Sequence, residues 1–385
     1  MHTPTYRLAA QLSYLTRGRV AVLRRLPIVI ILSLLGAIVG ADSAMAGPGF
    51  IPEGPGMVLP VQNRTSDAEI ARALEQAVYV ALVFETKLID TTPLRDEMRR
   101  LRLRQVNLGN PELLAALGDR LAVSWLLTVT LHEVVRTPVA QLAISAELFV
   151  PGATELSWNG FAAGTSRDGV HWLGRGLGDD IFDLTETLVA KLFESLLAGA
   201  EYRSPKLRFG KAKGGFSSSG EQPQPGQKIA IIPFDSVSDF NPNLAAEVVT
   251  SATLATLQER GFRVLFPGQV RKNLASQGRL LLGEIDGEGW RALHDQSHVD
   301  WILTGTLETY KEGVGLAPNP WVAFSARLID AETGQIVWSN GLERQGTDSR
   351  RLFDRSRIWS SGQMTHEMTR SLIADFADAS GRLQP

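Results

Sequence analysis

The sequence of 385 residues contains no cysteine. That absence excludes a disulfide framework, a metal site with cysteine ligands and a thiol nucleophile. It also excludes the usual anchoring of a bacterial outer-membrane lipoprotein, because the lipid of such a protein is attached to a cysteine just after its signal sequence. An exported protein without cysteine suits the bacterial periplasm.

An excess of charge of one sign is equally lacking. The 39 basic and 41 acidic residues give a formal net charge of -2. A protein that binds nucleic acid needs a basic surface to contact the phosphates. We therefore expect no nucleic-acid partner.

The apolar stretch at residues 26–40, LPIVIILSLLGAIVG, is shorter than the roughly 20 residues that a membrane-spanning helix needs. Ala44, Met45 and Ala46 follow it and have the small-x-small form that a signal peptidase accepts. It is preceded by basic residues that include Arg17, Arg19, Arg24 and Arg25. This order predicts a secretory signal peptide over residues 1–46, cleaved after Ala46, and a periplasmic protein. Retention of the segment as an anchor stays open.

Patterns that indicate catalysis or metal binding are missing. No serine stands in a G-x-S-x-G elbow. His294 and His298 have the spacing of two metal ligands on a helix, but no third ligand accompanies them, so a solvated helix face is expected. The glycine-rich residues 174–178 do not follow a buried strand, as a phosphate-binding loop would. We expect no catalytic, cofactor-binding or metal-binding residues.

Two parts of the chain share one pattern. Residues 117–131 align with residues 293–307, and an alternating hairpin follows in both. The hairpins align so that Trp158 falls on Trp338. Tryptophans at matched positions predict packing in the core of each copy. Such self-similarity is typical of a duplicated structural unit.

The repeat predicts the domain boundaries. We place the first domain at residues 56–200 and the second at residues 228–378. Residues 203–227 between them are rich in Gly, Ser, Pro and Lys and have no apolar period, which predicts a flexible linker.

Each copy shows the same order of elements: strand, helix, strand, helix, strand, a hairpin and a final helix. Right-handed crossovers between the first strands make them parallel, and the hairpin adds antiparallel strands. This predicts a mixed α/β (α+β) fold with two repeated domains. Each domain is expected to have a mixed, roughly five-stranded sheet packed with about three helices.

The hairpins differ in their turns. Asp330 and Gly334 suit the second turn, because aspartate accepts turn amides and glycine tolerates positive φ. Pro151 and Gly152 suit a type II turn in the first. Different turn residues with the same alternation indicate a structural framework, so the function is expected in the less similar loops.

Four segments of the second copy carry a family resemblance, in this order: IAIIPF, GFRVLF, VDWILTGTL and ARLIDAETGQIVWS, within residues 229–339. The set resembles the envelope domain shared by the curli secretion protein CsgG, the N-terminal domain of TolB and the lipoprotein activators of penicillin-binding proteins. This domain is similar in fold to the anticodon-binding domain of some tRNA synthetases. The resemblance implies a non-catalytic domain that binds other proteins. The loop at residues 311–320 is too short for two membrane-spanning strands, so we expect no pore.

The function predicted from these patterns is that of a periplasmic scaffold or accessory protein for a cell-envelope machine. Secretion of the curli kind, exopolysaccharide export, a flagellar ring and cell-wall synthesis are the alternatives. Its expected partners are envelope proteins, which would also associate it with the outer membrane, and self-association stays open. A periplasmic protein that binds a small ligand or a glycan is the second hypothesis, and an unrecognised hydrolase is the third.

Aromatic and arginine residues outside the repeated framework are candidates for partner contact, because both are enriched in interfaces. They lie in or beside predicted loops, where partial burial is the alternative for the tryptophans. The candidates are Trp172, Trp321, Phe353, Arg355 and Trp359.

Overall fold

The structure is a computed structural model in which the residues from Ala46 onward form one compact unit. It describes residues 51–100, 111–168, 180–198, 209, 215–217, 222–238, 241–276, 287–313, 319–348 and 357–377. The predicted signal peptide, residues 1–46, lies outside the described residues.

The first half of the described chain forms five strands and four helices. In chain order they are β1 (Gly56–Val58), β2 (Gln62–Asn63), α1 (Ala68–Val83), α2 (Thr92–Arg100), α3 (Pro111–Leu121), β3 (Trp125–Val135), β4 (Gln141–Phe149), β5 (Trp158–Thr165) and α4 (Ile181–Ala198).

The second half repeats this order after one added edge strand, β6 (Phe216–Ser217). The repeated elements are β7 (Lys228–Ile231), β8 (Asp235–Ser236), α5 (Pro242–Glu259), β9 (Arg263–Val264), α6 (Pro267–Ala275), α7 (Gly287–Ser297), β10 (Trp301–Lys311), β11 (Trp321–Asp330), β12 (Ile336–Gln345) and α8 (Ser361–Ala377).

The strands form two mixed sheets of five and seven strands, which confirms the predicted fold class. The first sheet has the order β1-β3-β4-β5, with β2 also paired to β3. The second has the order β6-β12-β11-β10-β7-β9, with β8 also paired to β10. In both sheets the hairpin strands are antiparallel and the first strand of the half is parallel to the long central strand. A register shift falls between Leu131 and Glu133 in one sheet and between Leu307 and Thr309 in the other, which are matched positions.

Helix α1 shows how the sequence positions a helix on its sheet. The carboxylate of Asp67 caps the helix by accepting hydrogen bonds from the backbone N–H groups of Glu69 and Ile70. Ile70, Leu74, Val78 and Leu82 follow at intervals of four residues, and all are buried against the first sheet. The apolar spacing therefore determines which side of α1 faces the sheet.

The helices form layers on both sides of the sheets. Helices α1 and α4 cover one face of the first sheet. Helices α5 and α8 pack between the two sheets, so their side chains are buried nearly all round. Helices α6 and α7 lie on the other side of the second sheet. The two halves thus share one hydrophobic core.

The matched tryptophans of the hairpins and central strands are buried, as expected: Trp125, Trp158, Trp301 and Trp338. The hairpin turn after β11 also has the expected chemistry. The carboxylate of Asp330 accepts hydrogen bonds from the backbone of Glu332 and Thr333, and Gly334 has a φ of 73°.

Each half has four helices where about three were expected. The additional helix in the second half is α6, whose first residues, Pro267 and Gly268, are typical of a turn. Proline is also favoured in the first turn of a helix, because its missing N–H has no partner there. In the predicted linker, Phe216 and Ser217 pair with Ser339 and Trp338 at the edge of the second sheet. The domain boundaries stay a prediction.

Candidate interaction surfaces

One face of the first sheet lies beneath α5 and α8. We call it the covered face. The strand register places its residues side by side: Thr128, Thr130, Ser145, Glu147, Asn159 and Phe161. Five of these six side chains are buried, although five of the six are polar. A buried polar surface is stable only when its groups find hydrogen-bond partners.

Gln258 of α5 supplies one such set of partners. Its side-chain oxygen accepts a hydrogen bond from the backbone N–H of Asn159 at 2.6 Å, and its amide nitrogen donates to the carbonyl of Leu156 at 2.8 Å. On α8, the side-chain nitrogen of Gln363 donates to the carboxylate of Asp168 at 3.1 Å. These contacts fix the second half on the first through specific polar pairs.

Glu133 is a residue of β3 that lies against the first residues of α8, and it is fully buried. Its carboxylate accepts hydrogen bonds from the backbone N–H of Gly362 at 2.8 Å and from the hydroxyl of Ser360 at 3.3 Å. Burial raises the pKa of Glu133 to about 7, although these hydrogen bonds oppose the rise. Gly362 approaches so closely that an added Cβ would lie 2.7 Å from the Cβ of Ala143. A carboxyl group at a helix N-terminus is stabilised there by the exposed N–H groups.

A backbone contact joins the two sheets at their edges. The N–H of Leu156 donates to the carbonyl of Val264 at 3.0 Å, and the N–H of Phe266 donates to the carbonyl of Thr154 at 3.0 Å. Glu155 and Leu265 form the antiparallel bridge between these bonds. The hairpin of the first half thereby extends the edge of the second sheet.

A cavity of about 400 Å³ lies between the covered face and α5. Thr130 and Glu147 line it from the first sheet, and Glu247 and Arg271 line it from the second half. Burial and the neighbouring Glu247 raise the pKa of Glu147 to about 7. The guanidinium of Arg64 contacts Glu247 at 3.0 Å. The cavity can accommodate a small polar molecule.

Helices α6 and α7 cover only one end of the matching face of the second sheet, around Ile302 and Ile329, and the described part of the chain places no helix over the rest. We call it the open face. Its residues are Thr304, Thr306, Ser325, Arg327, Ser339 and Gly341. Exposure rises from Thr304, which is buried, to Gly341, which is exposed. A shallow cavity of about 570 Å³ lies over this face, and Phe216, which is 54% exposed, borders it.

Two of the five predicted contact residues lie among the described residues. Trp321 begins β11, is partly exposed and donates a hydrogen bond to Glu343 at 3.0 Å, while the ammonium of Lys311 lies 4.5 Å from its ring centre. Trp359 is buried between the guanidinium groups of Arg167 and Arg357. Trp172, Phe353 and Arg355 lie outside the described residues, as does the glycine-rich stretch at residues 174–178. The contact role of all five stays a prediction.

His294 is held by a contact between its Nδ1 and the carbonyl of Val299 at 3.0 Å. Within the described ranges, no group of three or more His, Asp or Glu side chains could hold a metal ion. In the same ranges, no helix is both long enough and apolar enough to cross a membrane.

Sequence reasoning missed the residues that join the halves, above all Glu133 and Gln258. One sign was available for Glu133, since a charged residue interrupts the apolar central strand in the segment LHEVV. Gln258 gave none, because a glutamine near a helix end is usually solvated.

Neither a protein-family model nor a curated protein matches the sequence. The chain is similar to several solved structures. One is the PelC dodecamer from Paraburkholderia phytofirmans, with 17% identity, 43% of this chain and 97% of that chain covered, and a TM-score of 0.30. A lipoprotein from Neisseria meningitidis has 21% identity, coverage of 31% and 82%, and a TM-score of 0.26. The LpoB C-terminal domain from Salmonella enterica has 13% identity, coverage of 33% and 87%, and a TM-score of 0.25.

Proposed function

We propose that the chain is a non-catalytic accessory or scaffold protein of the bacterial cell envelope, which acts by binding other proteins. The observation that carries this proposal is the grouping of exposed apolar side chains. In the described ranges the large ones are Tyr79, Val80, Phe84, Leu197, Phe216, Val237 and Ile336. Four of them lie on α1 and α4 or just beyond, and three lie on the second sheet. Grouped exposed apolar residues mark interaction sites, whereas scattered ones do not.

The titratable groups support binding more than catalysis. Glu133 and Glu147 have raised pKa values, which is a common feature of active sites. Glu133, however, is held by the N-terminus of α8. Glu147 faces a cavity whose lining includes neither histidine nor lysine. Ser145 lies 2.8 Å from Nε2 of His132, but both side chains are buried, and the other ring nitrogen of His132 has no partner among the described residues that would orient it as a catalytic base.

The envelope assignment rests on the resemblance of the ordered segments in the second half and on the predicted signal peptide. The finer role is one of four: secretion of the curli kind, exopolysaccharide export, a flagellar ring or cell-wall synthesis. In each, the chain would bind and position other proteins. Trp321 is the described candidate for direct partner contact.

Site-specific photo-crosslinking in the producing cells tests this function. A photoreactive phenylalanine analogue replaces Trp321 or Phe216, and as a control it replaces Gln296, an exposed residue of α7. We expect the test positions, and not the control, to crosslink a protein of the periplasm or outer membrane, or a second copy of the chain. Crosslinks to cytoplasmic proteins only, or an identical pattern at all three positions, would contradict the proposal.

A second candidate function is the binding of a small polar ligand, and the cavity between the halves favours it. Such a pocket lies between packed units and has a few converging polar groups, here Glu147, Glu247 and Arg271. Thermal unfolding with a panel of sugars, amino sugars and amino acids tests it. A ligand that raises the Tm of the unaltered chain but not of a Glu147→Gln variant would support this function. If none of the compounds shifts the Tm, this second function is excluded.

A further inference from the structure

We propose that copies of the chain associate head to tail, with α1 and α4 of one copy packed on the open face of the next. This inference rests on the protein-binding role of these surfaces and goes further by naming a second copy as their partner. It does not depend on the envelope location.

The contact between the two halves of one chain is the template. There, the helix pair α5 and α8 covers the first sheet. By the repeat, α1 and α4 correspond to α5 and α8, and the open face corresponds to the covered face. Each chain therefore contains one completed contact and presents both components of a second, unpaired one.

The open face retains residues of the covered face. Thr304 and Thr306 occupy the positions of Thr128 and Thr130, and Ser325 occupies the position of Ser145. The covered face is polar and yet is buried beneath helices, and Gln258 of α5 accepts a hydrogen bond from the backbone N–H of Asn159 there. The polarity of the open face is therefore no obstacle to an equivalent helix pair.

The exposed apolar residues lie where this contact requires them. Phe216 pairs with Ser339 of the open face, so its side chain points to that face. Asp235 pairs with Thr306 of the open face, and Val237, two residues later on the same side of the strand, points there as well. Ile336 is opposite Ile329 on the same side of the sheet. The other component of the contact carries Tyr79, Val80, Phe84 and Leu197.

Those four residues cluster at one end of the helix pair. Arg136 bonds to Asp67 at the start of α1 and lies over the ring of Phe182 at the start of α4, so the two helices begin together. Their last turns, which carry the exposed apolar residues, therefore lie at the same end. The seven large apolar side chains that are exposed in the described ranges thus fall on the two surfaces that the proposed contact would bury.

The clearest pair of matched positions is Leu156 and Ile336. Leu156 is 5% exposed, because the second half packs over it. Ile336 occupies the same place in the second hairpin and is 43% exposed. The first half also has a strand edge on which the hairpin around Ile336 of another copy could pair. In that half Leu88 bridges Gly56, just as β9 pairs with β7 in the second half.

A contact of this kind is heterologous, since its two surfaces differ. It does not close on itself at two copies, and it continues until the assembly closes or extends. A dimer formed by two open faces would instead be symmetric. The two arrangements respond differently to variants on one surface.

The first experiment measures the size of the purified chain by sedimentation velocity over a range of concentrations. Gly341→Arg blocks the open face; an added Cβ there has only ordinary contacts, the nearest at 3.5 Å, so the fold tolerates it. Val80→Arg blocks the helix surface, where Val80 is 61% exposed. Gln296→Arg is the matched control, since it adds the same residue at an exposed site of α7.

We expect the unaltered chain and Gln296→Arg to form oligomers, and each of the other two variants to be monomeric. A mixture of the two should form a one-to-one dimer and nothing larger, because each retains the surface that the other lacks. A monomeric unaltered chain would overturn the inference. Oligomers formed by the purified Val80→Arg variant by itself would also overturn the inference, because they would indicate contact between open faces.

A second experiment uses the absence of native cysteine. The bridge between Glu155 and Leu265 has the close spacing that suits a disulfide. In the proposed contact between two copies, the repeat matches Glu155 to Gln335 of one copy and Leu265 to Ile89 of the other. Mixed Gln335→Cys and Ile89→Cys variants should form a crosslinked dimer of the two different chains on mild oxidation. Glu155→Cys with Leu265→Cys in one chain, the control, should crosslink within the monomer.

Absence of the mixed dimer, with the control pair formed, would overturn the inference. If the chain is then monomeric but still crosslinks an envelope protein through Trp321 or Phe216, the proposed function stands without self-association. If it crosslinks nothing, both proposals fail.

Discussion

The covered face and the open face occupy matched positions of the two halves in two different environments. Both are formed by the long central strand and the hairpin of a half, and they share Thr and Ser at matched positions. The covered face is buried beneath α5 and α8 except for Glu147, whereas five of the six open-face residues are partly or fully exposed. The comparison teaches that the same Thr and Ser residues are buried or partly exposed according to what packs on them.

The difference should be visible in stability. Buried groups of the first half pack against the second half, so their truncation leaves cavities. The same change on the open face only alters a hydrated surface. Matched variants, measured by urea unfolding, therefore contrast the two environments directly.

The largest contrast is expected between Leu156→Ala and Ile336→Ala. Leu156 is buried, so its truncation should lower the free energy of unfolding by about 2–5 kcal/mol. Ile336 is 43% exposed, so its truncation should cost less than about 1 kcal/mol in the monomer. Equal losses would mean that the halves do not pack together as described.

Glu133→Gln should change how stability depends on pH. The pKa of Glu133 is raised from 4.5 to about 7 in the folded chain, so folding favours the protonated carboxyl. Its contribution is full below pH 4.5 and is lost as the pH rises through about 7. The loss is on the order of 3 kcal/mol. The Glu133→Gln variant should show a smaller decline, because the part that comes from Glu147 then remains, and it should exceed the unaltered chain in stability at pH 8.

Thr309→Val is the matched control for Glu133→Gln, because Thr309 occupies the same position after the register shift in the second sheet. It removes no titratable group, so the decline with pH should persist. A Glu133→Gln variant with an unchanged pH profile would contradict the burial of this carboxyl at the helix N-terminus.

Gly362→Leu and Gly341→Leu compare the two faces through added volume. At Gly362 an added Cβ would come within 2.7 Å of Ala143 and 2.8 Å of Glu133, so Leu should lower the free energy of unfolding by about 1–3 kcal/mol. At Gly341 the nearest contact is 3.5 Å, and the change should stay within about 0.5 kcal/mol. A destabilised Gly341→Leu monomer would show that the open face is covered.

The smallest effect is expected for Glu155→Gln. Glu155 contacts Arg263 at 2.6 Å and Lys228 at 2.8 Å at the junction of the two sheets. Arg263 is 57% exposed and Glu155 is partly exposed, and ion pairs near the surface contribute at most about 1 kcal/mol. High salt should reduce the difference in the free energy of unfolding between the variant and the unaltered chain, since salt screens exposed charges. Urea unfolding at low and high salt measures this difference. A difference that salt leaves unchanged would contradict this account.

Much of each half could be predicted from the sequence because the signals are local. Alternation in the segments around Trp158 and Trp338 identified the hairpins, and Asp330 with Gly334 identified a turn. The helix α6 was missed because Pro267 and Gly268 favour a turn as readily as a helix start. Among the predicted contact residues, Trp359 lies buried between two arginines, and its surroundings come from segments distant in sequence.

The sequence by itself determined the elements, their repeated order and the mixed sheets, since apolar period, turn residues and strand spacing act over a few residues. Only the tertiary structure decided that α5 and α8 cover the first sheet, that Glu133 meets the N-terminus of α8, and that Ile336 remains exposed where Leu156 is buried. These contacts join residues about 100 to 230 positions apart, and no local pattern specifies them. The physical reason is that burial depends on which surfaces meet.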